Sequence, residues 1–265
     1  MKFMSIASGS SGNSSYIGTD STSLILDVGI SMKRIEEGLA KVGVSGREVD
    51  GILLTHEHSD HIKSIGVISR KYNIPIYATY GTLDGLMTVK SLGTFDYNLF
   101  KPIKNDESFV IGDIRINTHS ISHDAADPVC YSIESNGHKV GVATDMGIYD
   151  KLTVDFLADS EALLVEANHD IRMLEVGPYP FLLKQRILSE KGHLSNEASG
   201  SLIRCLLHDK IKYIGLGHLS EKNNYEYLAF ETVKQAITDN PFTNDVRDFG
   251  LCVASRNECG AVVEL

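Results

Sequence analysis

Three histidines and one aspartate fall between positions 56 and 61 of this chain, directly after an apolar stretch. The run reads Thr55-His56-Glu57-His58-Ser59-Asp60-His61. Imidazole nitrogens and carboxylate oxygens together suit Zn²⁺, Mn²⁺ or Fe. Because His56 and His58 are two residues apart at the end of an expected strand, a tight turn can aim both side chains inward. We therefore predict a metal site here, with Asp60 and His61 placed one turn further on for a second ion.

The spacing of these side chains excludes one familiar metal motif. A His-Glu-x-x-His helix places its two histidines four residues apart on one helical face, whereas His56 and His58 are two apart. A His-rich surface loop or a group of core histidines is the other interpretation of the run. Four candidate ligands within six positions favour the metal site over that interpretation.

Length and composition are those of an ordinary enzyme. The 265 residues can bury a full core, and no linker or low-complexity stretch divides them. No apolar run approaches the roughly 20 residues that a membrane helix needs, and the first residues lack the layout of a secretion signal. The four cysteines are scattered, with no Cys-x-x-Cys pair. We expect a cytoplasmic protein that has reduced cysteines and no membrane association.

The formal net charge of −10 limits how the protein could use nucleic acid. Coating a nucleic acid by bulk attraction needs a dominant positive face, which this composition does not provide. A nucleic-acid enzyme is still compatible with the charge, because two divalent ions would add about four positive charges inside a cleft.

Short apolar runs with strand character alternate with stretches of helical periodicity. Predicted strands cover 2–7, 14–17, 24–26, 51–54, 74–78, 114–117, 129–134, 140–143, 162–165 and 213–216. Predicted helices cover 31–42, 61–71, 82–92, 195–208 and 225–238. Strands dominate the first part of each half of the chain and helices the later part. This order predicts an α/β fold in which two sheets pack face to face with helices outside.

Several predicted strands lead to a residue that can bind a metal ion. The residues concerned are His56, His123, Asp145, His169 and His218. In a layered α/β protein such residues lie on loops at one end of the strands, where rigid scaffolds hold functional groups. We therefore expect these side chains to meet at one edge of the sandwich. His119, four residues before His123, is its rival as a ligand.

The order of these residues resembles the metallo-β-lactamase superfamily. The matching positions are Asp27, His56-x-His58-x-Asp60-His61, His123, Asp145 and His218, and the match spans nearly the whole chain. Four further motifs are similar to the YycJ (WalJ) branch and are more specific than the superfamily signature. They are Ser8-Gly9-Ser10-Ser11-Gly12-Asn13-Ser14-Ser15, Ser122-His123-Asp124-Ala125-Ala126-Asp127-Pro128, Glu166-Ala167-Asn168-His169-Asp170 and Gly192-His193-Leu194-Ser195-Asn196-Glu197.

The resemblance implies a four-layer αββα sandwich, with one domain over residues 1–265 and no inserted β-CASP domain. It also implies two divalent metal ions in a cleft along the edge, with Zn²⁺ and Mn²⁺ expected and Fe as a third candidate. The ligands carried over by position are His56, His58 and His123 for the first ion, Asp60, His61 and His218 for the second, and Asp145 as a bridge. Asp27 would orient a ligand imidazole.

Two further histidines could take part in the chemistry. His193 resembles the position at which ribonuclease Z and ribonuclease J relatives place a histidine against the scissile phosphate. An imidazole there can donate a hydrogen bond or a proton. The alternative is that His193 merely precedes a helix capped by Ser195. His169 is a candidate for an extra metal ligand or a phosphate contact.

Residues 179–186 interleave aromatic and basic side chains. In a nuclease such an arm would grip backbone phosphates and stack bases, which makes Lys184 and Arg186 candidate substrate-binding residues. The alternative is an ordinary helix with both cations solvated. The Ser/Gly loop at 8–15 lacks the Gly-Lys-Ser/Thr ending of a P-loop, so we expect its hydroxyls and amides to line the cleft.

Together these residues predict a metal-dependent hydrolase, and the resemblance, with the arm at 179–186, implies a phosphodiesterase, namely a nuclease that acts on DNA in the manner of an exonuclease. A hydroxide held by the ions would attack phosphorus in line. Asp60 would serve as ligand and proton acceptor, and His193 would stabilise the transition state. The first alternative is a hydrolase of a small lactam, lactone or thioester, which would need a small apolar pocket. The second is a metal-stabilised binding protein without turnover, which the complete ligand set disfavours.

Overall fold

The computed structural model of the protein describes residues 1–238 and 249–265. Within these residues two mixed β-sheets pack face to face, and helices cover both outer faces. The predicted four-layer αββα sandwich is confirmed. Every helix in this part of the chain is too short or too polar to serve as a membrane span.

Fourteen strands are described, divided evenly between the two sheets. The first seven are β1 (Lys2–Ala7), β2 (Ser14–Gly18), β3 (Ser23–Leu26), β4 (Gly51–Leu53), β5 (Ile76–Thr79), β6 (Phe100–Ile103) and β7 (Ser108–Ile111). The others are β8 (Ile114–Ser120), β9 (Val129–Ser135), β10 (His138–Ala143), β11 (Ala162–Glu166), β12 (Tyr213–Gly217), β13 (Gly250–Val253) and β14 (Val263–Glu264). The spatial orders are β14-β1-β2-β3-β4-β5-β6 and β13-β12-β11-β10-β9-β8-β7.

Both sheets combine antiparallel and parallel pairing in the same way. In the first sheet β1, β2 and β3 are antiparallel neighbours, and β3 to β6 run parallel. In the second sheet β7 to β10 are antiparallel neighbours, and β10 to β13 run parallel. The loops after β3 and β4 therefore share one edge, and those after β10, β11 and β12 share another.

Nine α-helices are described around the sheets. They are α1 (Met32–Lys41), α2 (Ser59–Ile62), α3 (Ile65–Tyr72), α4 (Tyr80–Thr88), α5 (Lys151–Leu157), α6 (Ile171–Val176), α7 (Phe181–Ile187), α8 (Asn196–Leu206) and α9 (Glu226–Ile237). One core cluster joins α1, α3 and α4 to the first sheet, and another joins α8 and α9 to the second. A third cluster fills the space between the sheets. Burial on both faces explains why many of these strands are apolar along their whole length.

The helix predicted over residues 61–71 is in fact two helices. α2 begins at Ser59 and α3 begins at Ile65, with a turn between them. The Ser64 N–H donates to the Val28 carbonyl oxygen at 2.9 Å, and the Ser64 hydroxyl donates to the Ile30 carbonyl oxygen at 2.5 Å. These bonds replace helical bonds at the break and tie it to the loop after β3. The helix predicted over 82–92 also shifts, since α4 begins and ends earlier in the chain.

Several short elements have no clear counterpart in the sequence pattern. Strands β6, β7, β13 and β14 contain two to four residues each. Runs this short do not distinguish strand from helix by periodicity. The arm proposed at 179–186 contains helix α7, preceded by the short helix α6.

Candidate metal centre

The candidate ligands lie on loops that follow parallel strands of both sheets. Asp27 follows β3, Asp145 follows β10 and His218 follows β12, and each has a positive φ, of 58°, 62° and 53°. A left-handed backbone is uncommon for residues other than glycine and costs on the order of 1–3 kcal/mol. The resulting bends turn these three side chains away from the strand direction and into the cleft.

The structure brings together the seven side chains that the resemblance implies as ligands. They form two groups, and within each group the ligand atoms lie within 4.8 Å of one another. The groups are His56, His58 and His123, and Asp60, His61, Asp145 and His218. His123 Nε2 lies 3.9 Å from Asp145 Oδ1, so the two groups adjoin.

Distances within the groups fit side chains that surround a cation. His123 Nε2 lies 3.2 Å from His58 Nδ1, and His218 Nε2 lies 3.2 Å from Asp60 Oδ2. Atoms about 2.0–2.1 Å from a tetrahedral Zn²⁺ are separated from one another by about 3.3–3.4 Å. In addition, the buried His56 Nε2 has no hydrogen-bond partner among the described residues. A divalent cation would satisfy that nitrogen.

Other contacts orient two of these imidazoles. His61 Nδ1 donates to Asp27 Oδ2 at 2.8 Å, and Asp27 also accepts from the Thr55 N–H at 2.9 Å. His123 Nδ1 donates to the Gly192 carbonyl oxygen at 3.1 Å. A ring whose Nδ1 is held in this way presents Nε2 to a metal ion. Asp27 thus lies where an orienting group is needed.

Glu166, at the end of β11, is a functional candidate that the sequence patterns did not single out. Its Oε1 accepts from His193 Nδ1 at 2.7 Å and from His218 Nδ1 at 3.0 Å. Its Oε2 accepts from the N–H groups of Met146 and Leu194 at 3.0 and 3.2 Å. With both oxygens bonded, we assign Glu166 an orienting role. The signal in the sequence was an acidic residue at a strand end, directly before Ala167-Asn168-His169.

The acids and bases of the site shift one another strongly. Burial alone would raise the pKa of Glu166, but the charges and hydrogen bonds of His193 and His218 lower it to about 2. Burial likewise opposes a charge on His218, yet the charge of Asp145 and the hydrogen bonds that His218 donates to Asp60 and Glu166 raise its pKa to about 10. Because protons and cations compete for the same ligand atoms, metal affinity here should rise with pH.

His193 lies beside both groups. Its ring centroid is 5.2 Å from that of His123 and 5.2 Å from that of His218. Because Glu166 holds Nδ1, Nε2 is the nitrogen that can contact a substrate. Ser195 does cap α8, by accepting from the Ala198 N–H. The cap that the alternative interpretation predicted is therefore present, and His193 also lies beside the candidate ligands; its contact with a phosphate stays a prediction.

Two other histidines lie outside these groups. His119 Nδ1 contacts Asp106 Oδ1 at 2.8 Å, and its ring stacks on Phe156. His169 is 1% exposed, and neither of its ring nitrogens has a hydrogen-bond partner within 1–238 and 249–265. Burial is the main cause that lowers the pKa of His169 to about 4. His123 lies among the candidate ligands, whereas its rival His119 does not.

The two basic residues of α7 differ in their contacts. Arg186 forms a two-point ion pair with Asp124, whose Oδ1 lies 3.5 Å from His123 Nε2. Lys184 Nζ donates to the Glu175 carbonyl oxygen at 2.7 Å. Both side chains are engaged, so neither is simply solvated, and Arg186 is the one beside the candidate ligands.

The Ser/Gly loop at 8–15 lines the cleft. The Asn13 N–H donates to the Asp60 carbonyl oxygen at 2.8 Å, and its side-chain nitrogen lies 3.1 Å from His61 Nε2. The Ser8 hydroxyl accepts from the His218 N–H at 2.9 Å. Beside Asp60 an open cavity of about 500 Å³ has four serines and a lysine in its walls.

A family model described as a beta-lactamase superfamily domain matches residues 27–211. The chain belongs to this superfamily and is a metal-dependent hydrolase. It is similar to the Bacillus anthracis protein named exodeoxyribonuclease YycJ, with 37% identity over 91% of each chain. It is also 39% identical to the Streptococcus pneumoniae protein named exodeoxyribonuclease WalJ, over 88% of this chain and 86% of that one. These similarities place it in the YycJ-like branch.

Solved structures share the fold at low sequence identity. The metallo-beta-lactamase fold protein YhfI from Bacillus subtilis matches with a TM-score of 0.72 and 17% identity, over 98% of each chain. Human tRNase Z, short form, matches with a TM-score of 0.67 and 13% identity, over 98% of this chain and 99% of that one. These likenesses concern the fold alone.

Proposed function

We propose that the protein is a metal-dependent nuclease that acts on DNA as an exonuclease. The observation that carries the proposal is the pair of adjoining ligand groups next to the hydrogen-bonded Glu166–His193 pair. Two relatives named exodeoxyribonucleases, each similar over most of the chain, support the choice of DNA. A DNA substrate in turn suits a cytoplasmic enzyme.

Two divalent cations would occupy the two groups. The proposed ligands are His56, His58 and His123 for one cation, Asp60, His61 and His218 for the other, and Asp145 between them. Zn²⁺ and Mn²⁺ are the first candidates and Fe the third, because imidazole and carboxylate accept all of them. When bound, the cations would supply the Lewis acidity that lowers the pKa of water and offsets charge on phosphoryl oxygens.

The chain's own residues would position the phosphate and move protons. His193, held at Nδ1 by Glu166, would donate from Nε2 to a phosphoryl oxygen or to the leaving group. Asp60 lies at the wall of the open cavity, where it would also accept a proton. Arg186 would contact a neighbouring phosphate through Nη1, the nitrogen that Asp124 does not bind, whereas Lys184 would first have to leave its backbone partner.

The shape of the cleft favours an extended polar substrate. A lactam, lactone or thioester hydrolase would need a small apolar pocket. The cavity beside Asp60 is open, and its walls combine the polar Ser10, Ser11, Ser59 and Lys63 with the apolar Ile62, Val89 and Leu92. Hydroxyl and ammonium groups bind phosphate oxygens well. We propose that residues 1–265 form one domain without a β-CASP insertion.

A substrate panel tests the proposal. End-labelled single- and double-stranded DNA and RNA would be incubated with Mn²⁺ and with Zn²⁺, alongside a chromogenic phosphodiester and a cephalosporin. We expect metal-dependent shortening of DNA from its ends, and loss of that activity in Asp60→Ala and His193→Ala proteins that keep the wild-type circular dichroism spectrum. Cephalosporin turnover without DNA cleavage would overturn the proposal.

A further inference from the structure

Helix α7 exposes apolar side chains next to the candidate metal centre. Phe181 is 70% exposed and Leu182 is 77% exposed. Val176, at the end of α6, is exposed as well. Neighbouring exposed apolar side chains often mark an interaction site, because leaving them in water is unfavourable. Among the described residues these side chains stay exposed, so they are available to a partner.

Leu182 shares a helical face with Arg186, the residue of α7 that forms an ion pair beside the candidate ligands. Leu182 and Arg186 are four residues apart, so they lie on the same helical face, about 6 Å from each other along the helix axis. Arg186 pairs with Asp124, which is adjacent to the candidate ligand His123. Moving outward from the candidate metal centre, a substrate would meet Arg186 first, then Leu182 and Phe181.

Contacts with the His123 loop fix α7 in place. The Ser122 hydroxyl donates to the Glu190 carbonyl oxygen at 2.7 Å, and His123 Nδ1 donates to the Gly192 carbonyl oxygen at 3.1 Å. The next residue of the loop provides the carboxylate of the Arg186 ion pair. Three consecutive residues thus hold the end of α7 and the segment after it, which keeps the exposed face at a constant distance from the ligands.

The charge of α7 indicates what its partner is. The helix carries Lys184 and Arg186 and no acidic residue, in a chain whose net charge is −10. Arg186 lies one helical turn from Leu182 and five residues from the Phe181 ring, and a cation near exposed apolar and aromatic side chains suits a nucleotide, in which a phosphate and a flat base are neighbours. Proteins that bind single strands combine these two features, with bases stacked on aromatic side chains and phosphates held by basic ones.

We propose that Phe181 and Leu182 form a platform on which an unpaired base at the end of the substrate strand stacks, while Arg186 contacts the adjoining phosphate through Nη1, the guanidinium nitrogen that its ion pair with Asp124 does not use. This inference rests on the nuclease function proposed above. A base must leave its duplex before it can stack on a side chain, so the platform would give the enzyme a preference for frayed or single-stranded ends. Stacking on an aromatic residue strengthens binding by about 5- to 150-fold.

Binding measurements that combine changes in the protein with changes in the substrate test the platform. Duplexes with a short single-stranded end would carry either normal bases or abasic sites at that end, and Kd would be measured by fluorescence anisotropy in Ca²⁺. We expect wild type and Phe181→Tyr to bind the normal end about tenfold more tightly than the abasic end. Phe181→Ala should bind both ends with the weaker affinity. Leu152→Ala, which alters a 64% exposed leucine on α5, should keep the preference.

The outcomes separate the two proposals. If wild type binds normal and abasic ends equally, or if Phe181→Ala keeps the full preference, the platform is wrong even where DNA is cleaved. If the preference depends on Phe181 but no nucleic acid is cleaved with any metal ion, the stacking site stands and the nuclease function is wrong.

Discussion

One oxygen atom, Glu166 Oε1, accepts hydrogen bonds from His193 at 2.7 Å and from His218 at 3.0 Å. In both rings the bonded nitrogen is Nδ1, so both present Nε2 to the cleft. One of these histidines is a candidate metal ligand and the other a candidate phosphate contact. A single buried carboxylate therefore orients two residues with different tasks, and its loss should affect metal binding and turnover together.

Glu166→Gln should weaken metal binding by about 10- to 100-fold and lower kcat for DNA as well, because the amide keeps the shape but not the charge. Metal affinity can be measured by competition with a chelating dye, and kcat with excess metal. Glu134→Gln is the matched control, since Glu134 lies on β9 outside the candidate ligand groups of the described residues. Wild-type metal affinity in Glu166→Gln would contradict the orienting role.

His193→Ala should lower kcat by about 10²- to 10⁴-fold and leave the metal content unchanged. The reason is that His193 lies beside the two ligand groups while its Nδ1 is occupied by Glu166. Elemental analysis of the purified protein gives the metal content, and single-turnover cleavage gives the rate. Loss of one metal equivalent in this variant would make His193 a ligand instead.

Metal removal should destabilise the protein, and rebinding should release protons. A cation at 100 times its Kd stabilises a fold by about 2.7 kcal/mol, so chelation should lower Tm. Because the pKa of His218 is raised to about 10, its ring holds a proton at neutral pH that a cation must displace. Affinity should therefore increase from pH 6 to pH 8. Calorimetry in buffers of different ionisation enthalpy counts the protons, and a count of zero would contradict this account.

His169→Phe should stabilise the protein, and more so in acid. The buried imidazole has two ring nitrogens without partners in the described structure, and its pKa is lowered to about 4. The unfolded chain, with a pKa near 6.5, then takes up a proton more readily than the fold, so the wild type loses stability as pH falls from about 6.5 towards 4. The variant has no titratable ring at this position and therefore does not lose stability in this way. Its Tm advantage should be larger at pH 5 than at pH 8.

A loss of bound metal in His169→Phe would contradict this view. It would instead make His169 the extra ligand that the sequence left open. His169→Gln, which keeps a polar group in the buried position, is the matched control and should not gain stability.

Gly29→Ala should disrupt the candidate metal centre without removing any ligand. A Cβ at Gly29 would lie 1.6 Å from the backbone oxygen of Asp60, so one of the two segments must move. We expect a fall in both metal content and Tm. Gly260→Ala is the control, because its Cβ would meet only the Ser5 oxygen at 3.5 Å, an ordinary contact. An unchanged metal content in Gly29→Ala would contradict this expectation, because it would show that the backbone at Asp60 can move without loss of the metal.

The sequence predicted most of the candidate site because its residues carry local signals. His56 to His61 form one dense run, and Asp145 and His218 come directly after apolar strands. Contacts between distant segments had no such signal. The partner of Arg186 lies 62 residues away at Asp124, and no periodicity records that pairing.

The fold was predictable to a similar degree. Long apolar runs identified the central strands, whereas short edge strands such as β6 and β7 depend on pairing with their neighbours. The break between α2 and α3 shows the same limit, because Ser64 finds its backbone partner at Val28, far along the chain. Helical periodicity continues through such a break without revealing it.

The left-handed backbone at Asp27, Asp145 and His218 has a consequence for protein engineering. Copying the seven candidate ligands onto an idealised sandwich would reproduce their chemistry but not their directions, because regular strands and loops avoid positive φ. Glycine at these positions would permit the bend but would remove a ligand at Asp145 or His218 and the orienting carboxylate at Asp27. A transplanted centre would thus have to include the short loops with their strained residues. The smallest segment that can be transferred is each strand end together with the turn that follows it.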